Sequence, residues 1–211
     1  MFGTQDLSVF LLAAISLSLL PGSDTIYIIT RSIGQGRKAG VASVLGISTG
    51  LLLHTSAATF GLSAILATSV IAFNIVKLIG ATYLVYLGIQ MFFNNSSQET
   101  TDITKTKEAN LSTIYRQGIL TNVFNPKVAL FFLALLPQFV DPANSHKAFS
   151  FFFLGCMFIT TSTTWSMFVA LLAAKASSIV RSKTRFMDFA KRVTGVIFIG
   201  MGIKLATEQA K

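Results

Sequence analysis

The sequence predicts an all-α integral membrane protein. It has six transmembrane helices in two inverted three-helix repeats, with helices 1 and 4 broken at proline motifs. Three observations carry this expectation. First, 52% of the 211 residues are hydrophobic and only 12% are charged, against roughly 25% charged in ordinary soluble domains. Second, no Asp, Glu, Lys or Arg occurs over the 38 residues from Ala39 to Val76, or over the 27 from Ala148 to Ala174. A helix of ~20 residues already crosses the ~30 Å hydrocarbon core of a bilayer. Third, two apolar stretches are interrupted at matching places, at Pro21 and at Pro126. Most soluble enzymes are excluded by the first two observations.

The elements follow in order. The first span starts near Leu7 and runs to Leu20, is interrupted by Pro21-Gly22-Ser23-Asp24, and can continue from Thr25 to Ile33. A polar loop, Gly34 to Gly40, leads to a second span from about Val41 to Ala67 with His54 near its middle. The third span is about Val70 to Phe93 and carries Lys77. Asn94 to Gln117 form the one long polar loop. The fourth span, about Ile119 to Val140, is broken early by Asn125-Pro126-Lys127 and ends at Asp141-Pro142. The fifth runs from about Ala148 to Ala174, a basic loop follows to Arg192, and a short sixth covers Val193 to Ala206. The chain is one domain, 1–211, with repeat 1 over about 1–93, a loop over 94–117 and repeat 2 over about 118–211.

The net charge of +9 would suggest nucleic acid in a soluble protein. Here twelve of the 17 basic residues fall in the loops after the first, third and fifth spans. Positive loops stay in the cytoplasm, so six spans place both termini outside, and no nucleic-acid partner is expected. The N-terminus, Met1 to Asp6, has no basic residue, so the first apolar stretch reads as a retained span rather than a cleaved signal. Cys156 is the only cysteine, and no metal-binding cluster or cofactor motif is present.

A short internal repeat supports six spans. Lys77-x-x-Gly80 with Gly88-Ile89-Gln90 in the third is echoed by Arg192-x-x-Gly195 with Gly202-Ile203-Lys204 in the last. Inverted halves with interrupted helices in corresponding positions are a signature of secondary transporters.

Candidate site residues gather at the breaks. Proline removes an amide donor and glycine opens backbone angles, so Pro21 and Gly22 free backbone groups. In a membrane these must face protein or a water-filled cavity, and free half-helix ends suit the charged ends of a zwitterion. A simple kink is the alternative. Asp24 is an acid near membrane depth, where a charge costs at least ~2.5 kcal/mol. It can bind a substrate ammonium, carry a proton, or cap the helix that begins at Thr25. Ser23 adds a hydroxyl. Asn125, Pro126 and Lys127 equip the second break, and Lys127 can meet a carboxylate or snorkel to headgroups. Lys77 can snorkel, pair with Asp24 or hold the substrate carboxylate. His54 suits a proton relay with Asp24, or is a satisfied hydrogen-bonding group. Gly46-Ile47-Ser48-Thr49-Gly50 fits a nucleophile elbow, but it lies inside a membrane helix. Ala42, Gly46 and Gly50 at four-residue spacing fit close helix packing instead, against a neighbouring helix or a partner subunit.

Three blocks resemble one known family. Leu20-Pro21-Gly22-Ser23-Asp24-Thr25, with Arg31-Ser32 and Gln35 to Gly40, looks like the first motif of the LysE-type amino-acid exporters. Gly80-Ala81-x-Tyr83-Leu84-x-Tyr86-Leu87-Gly88 looks like its third-span motif. Arg116-Gln117-Gly118, Asn122 and Asn125-Pro126-Lys127 through Val140 look like its fourth-span motif. The resemblance implies an inner-membrane exporter of small amino acids driven by the proton gradient. Its partners would be the amino acid, the coupling proton and membrane lipid. It also implies that motif residues match Pro21, Gly22, Asp24, Lys77, Asn125, Pro126 and Lys127. Ser23 stands where the family usually has a second proline. A membrane-embedded enzyme, a channel and a non-transporting subunit are the rival readings.

Overall fold

A computed structural model of the chain describes residues 3–69, 108–141 and 144–175, with scattered positions in 71–89 and at 196, 199 and 200. Lys77, most of the third span, the long loop as far as residue 107 and nearly all of the sixth span lie outside the described residues. Among the described residues the regular elements are all helices, and the strand-like pairing is an isolated antiparallel bridge between Thr4 and Val140.

The first helix, α1 (Leu7–Leu19), ends where Leu20 turns extended ahead of Pro21, and α2 (Ser23–Ala57) begins just beyond. Proline cannot supply the amide that would continue α1. α2 folds back on itself at Gly36, whose φ of 79° and ψ of −171° lie outside the helical region. Such a φ suits glycine because it has no Cβ. The two limbs then lie side by side. A Cβ on Gly40 would overlap the Ser32 hydroxyl and come within 3.3 Å of Ala170. In a straight helix residues 32 and 40 would be ~12 Å apart. The expected polar loop over 34–40 is therefore a sharp turn, and both limbs stay helical up to it. The second limb runs on through a π-helical turn, Ala58–Leu62, into α3 (Ser63–Thr68).

α4 (Leu111–Val123) starts eight residues before the expected Ile119. Asn110 caps it, its side chain accepting from the Thr113 amide at 2.7 Å. The polar run Arg116-Gln117 delayed the expected start, but those side chains sit on a helix whose other side is buried at Ile114, Gly118 and Asn122. The break at Asn125-Pro126 thus falls in mid-span rather than early. α5 (Pro126–Ala134) follows it, tilted by 49° together with the 3-10 turn Leu136–Phe139. α6 (Lys147–Lys175) is a single long helix matching the expected fifth span.

By length and composition, the helical stretch Ser23–Ile65 and α6 can each cross a membrane, and the bent pair α4–α5 can form a third crossing. Exposed Leu12, Leu53, Phe60, Phe124, Phe152 and Phe168 give these helices an apolar outer surface. Such a surface fits lipid rather than water. The described residues are those of a helical membrane protein.

The two broken segments run antiparallel along their whole length. Gln5 bonds to the carbonyls of Phe139 and Gln138, and Phe10 packs on Phe131 and Phe139. Further along, Lys127 reaches the carbonyls of Leu17 and Leu20, and Asp24 meets Asn122. Tyr27 donates to the Ile114 carbonyl, Arg31 to Gln117, and Gln35 to the Ala109 carbonyl. From Gln5 to Gln35 on one segment, the partners run back overall from Phe139 to Ala109 on the other. The breaks lie at the same level, with about 20 Å of helix on either side of the first.

Small residues bring α4 against the second limb of α2. A Cβ on Gly46 would overlap the Tyr115 carbonyl, and one on Gly50 would come within 2.7 Å of Asn122. The stripe Ala42-Gly46-Gly50 therefore faces a neighbouring helix. Gly46→Ala should overpack this contact, at a cost of about 1–3 kcal/mol. A thermal midpoint several degrees lower in the purified protein is the expected readout.

Candidate functional site

The halves on either side of the breaks differ in chemistry. Toward Gly3, Phe10, Leu17, Phe131, Phe132, Phe139, Phe151 and Phe158 form a dry cluster, each at most 3% exposed. Toward Gly36, the contacts are the polar ones of Tyr27, Arg31 and Gln35 just described. The site lies where these two environments meet.

Each break contributes a helix end. α2 has Gly22 as its N-cap and Asp24 in its first turn. Asp24 makes no capping bond there. Its Oδ2 instead accepts from Asn122 Nδ2, on the last turn of α4, at 2.8 Å. The capping alternative for Asp24 is set aside by this contact. Asn125 caps α5, its Oδ1 accepting from the Lys127 amide at 3.0 Å. Pro126 takes the first helical position, where its missing N–H has no cost. Lys127 Nζ donates to the carbonyls of Leu17, at 3.2 Å, and Leu20, at 3.0 Å. The Asn125 side chain interacts with the Asp24 carboxylate, and Lys127 and His54 lie within electrostatic reach of it.

His54 comes from the second limb of α2. Its Nε2 lies 3.2 Å from the Asn122 carbonyl, and its ring stacks on Phe132 with centroids 5.5 Å apart. A carbonyl can only accept, so Nε2 carries the hydrogen. The neutral ring then keeps Nδ1 as its proton-accepting atom. A π-helical turn follows one turn later at Ala58, a feature often found beside functional sites.

Three buried polar atoms here have no hydrogen-bond partner: Asp24 Oδ1, Asn122 Oδ1 and Asn125 Nδ2. Buried polar atoms are ordinarily paired, so orphans call for a reason. The amide orientations are fixed by their other bonds, because a carboxylate accepts from Asn122 and a backbone N–H donates to Asn125. The Asn125 amide also acts on the Asp24 carboxylate, so the site offers a guest two acceptors, Asp24 Oδ1 and Asn122 Oδ1, and one donor that a guest would draw from that carboxylate. An ammonium suits the acceptors and a carboxylate the donor.

Of the expected site residues, Gly22, Asp24, Asn125, Lys127 and His54 are brought together, and Pro21 and Pro126 shape the two breaks. Ser23 opens α2 and is exposed. Lys77 lies outside the described residues. Asn122 belongs to the quoted fourth-span motif, yet its part in the site was missed. Its signal was position: it sits one helical turn before Asn125, on the buried side of α4. Ser48 bonds to the Val44 carbonyl and to the Thr163 hydroxyl, both on packed helices. Those partners supply no base to a nucleophile.

Comparison with known proteins agrees with the resemblance. The sequence profile described as "LysE type translocator" matches residues 15–209. A membrane protein of Vibrio cholerae is 34% identical over 201 residues, covering 95% of this chain and 96% of its own length. The Bacillus subtilis membrane protein YrhP is 30% identical, covering 95% and 98%. A leucine efflux protein of Salmonella typhimurium is 27% identical, covering 99% and 98%. No solved structure matches. With the profile spanning most of the chain and the motif residues gathered at two apposed helix breaks, the chain belongs to the LysE type translocator family.

Proposed function

We propose that this protein is a secondary active transporter that exports amino acids from the cytoplasm by proton antiport. One observation carries the reading: the free hydrogen-bonding atoms of Asp24, Asn122 and Asn125 form a buried set matched to the two ends of a zwitterion. Family membership and the leucine efflux relative support amino-acid export in general. The amino acid's ammonium binds Asp24 Oδ1 and Asn122 Oδ1, and its carboxylate binds Asn125 Nδ2. Asp24 is the carboxylate of this cluster, and the α-ammonium uses it. A cationic side chain would find no second acid among the described site residues, so neutral amino acids fit better than basic ones.

Export against a gradient needs a coupled ion. Asp24 and His54 are the titratable pair able to carry a proton through this site, with Asn122 between them. Binding of substrate and of proton at Asp24 are then mutually exclusive, which is the condition for exchange.

The halves are read as inverted repeats of three spans each. The antiparallel course of the two broken segments supports that reading, as does the equal length of α1 and α4, 13 residues each before their breaks. The Gly36 end carries Arg31, Arg37, Lys38, Arg116 and Lys175 and is placed in the cytoplasm. The dry aromatic cluster then closes the outward path.

Flux in proteoliposomes of purified protein, with and without an imposed pH gradient, tests the reading across the twenty amino acids. Gradient-dependent accumulation of one or a few neutral amino acids is expected. Equilibration that never exceeds the outside concentration would mean a channel. Absence of any flux from folded protein would remove the transporter assignment.

A further inference from the structure

The first break creates a site for a cation, and the chain fills it with its own lysine. An α-helix leaves its last four carbonyls without intrahelical partners, and its C-terminus carries the negative end of the helix dipole. Helix α1 ends this way at membrane depth, where the Leu20 amide donates to the Leu17 carbonyl at 3.3 Å. Its last turn has no basic residue to offset that charge. Beyond Leu20, Pro21 has no N–H to offer. The Leu20 carbonyl accepts at 3.0 Å and the Leu17 carbonyl at 3.2 Å, both from Lys127 Nζ, more than 100 residues away on another span. Gly22 leaves the room for it, since a Cβ there would stand 3.3 Å from Nζ. The Asp24 carboxylate adds a further negative charge that acts on the same ammonium.

Unwound backbone carbonyls at a half-helix C-terminus are the groups with which broken-helix transporters coordinate sodium. We infer that the Leu17 and Leu20 carbonyls, with Asp24 nearby, form a monovalent-cation site, and that the Lys127 ammonium is its tethered occupant. Three consequences follow. The folded protein requires no sodium or potassium. The Lys127 charge holds α1 to α5 rather than acting first as a ligand for substrate carboxylate. Removal of that charge vacates a site that a free cation can enter.

The inference does not depend on which substrate is carried, so its test contains no amino acid. Thermal unfolding of the purified full-length protein is followed in choline chloride, then in sodium, potassium or methylammonium chloride at equal ionic strength. The wild-type midpoint is expected to be the same in all four. The Lys127→Ala midpoint should fall by several degrees in choline and be raised saturably by at least one of the three smaller cations. Methylammonium alone would assign the site to an ammonium, and sodium or potassium to a metal ion. Lys127→Arg should keep the wild-type indifference. A saturable sodium or potassium effect on wild type would overturn the inference, as would a folded Lys127→Ala indifferent to all three cations. Should Lys127→Ala fail to fold in choline, purification in sodium, potassium or methylammonium should recover it, and failure to recover in any of them overturns the inference too.

Discussion

Asp24→Asn is expected to reduce gradient-driven amino-acid flux by about a hundredfold or more while leaving the protein folded. The change is nearly isosteric. The new side-chain oxygen can still accept from Asn122 Nδ2, so the contact between α2 and α4 survives. What disappears is the charge on Oδ1, the free atom assigned to the substrate ammonium. A hydrogen bond to a charged group contributes about 1.5–3 kcal/mol, and ~3 kcal/mol is roughly two orders of magnitude in affinity. The coupling proton loses its carrier in the same substitution. Two measurements separate these effects. Flux under an imposed pH gradient reads the coupled reaction. Exchange of labelled for unlabelled amino acid without a gradient reads binding and movement alone. Loss of both with an unchanged size-exclusion profile is the expected result. Wild-type flux in Asp24→Asn would remove Asp24 from the mechanism.

Asn122→Ala should be nearly as damaging, with a different signature. Asn122 is fully buried and bridges three parts of the site. Its Nδ2 holds Asp24, its carbonyl takes His54, and its Oδ1 is one of the two free acceptors. Truncation leaves the carboxylate without its buried donor, a loss of about 1–3 kcal/mol. It also opens space beside Gly50, where the Asn122 side chain now packs. The variant should therefore lose thermal stability as well as flux, at least tenfold in the latter. Asn122→Asp keeps the volume and loses the donor, so it tests whether packing or hydrogen bonding matters. Near-normal flux in Asn122→Asp would show that the donor is not needed.

Much of this architecture was readable one residue at a time. The apolar runs, the basic loops and the proline breaks act through composition and local backbone chemistry, which need no partner to be recognised. The long helix α6 lies within a residue of its expected bounds at each end, because an uncharged run bounded by Lys147 and Lys175 has one plausible limit at each end. Two boundaries were misplaced for a common reason. Arg116 and Gln117 look like loop on a hydropathy scale, yet Gln117 accepts from Arg31 inside a packed helix pair. The 34–40 stretch looks like a flexible connection, yet Gly36 alone makes the turn. Polar side chains that meet each other are indistinguishable in sequence from polar side chains that meet water.

Composition and local backbone chemistry are enough to make this chain a helical membrane protein with two broken spans and a short list of polar residues near them. These properties follow from transfer free energies and from what proline and glycine do to a backbone. Only the tertiary structure decided which of those residues meet. Its antiparallel pairing of the broken segments brings Lys127 to the carbonyls of α1 and Asp24 to Asn122, the second limb of α2 brings His54 to the Asn122 carbonyl, and Ser23 is left exposed. Contacts between residues 68 to 110 positions apart depend on how two helices are laid against each other, and no local pattern encodes that arrangement.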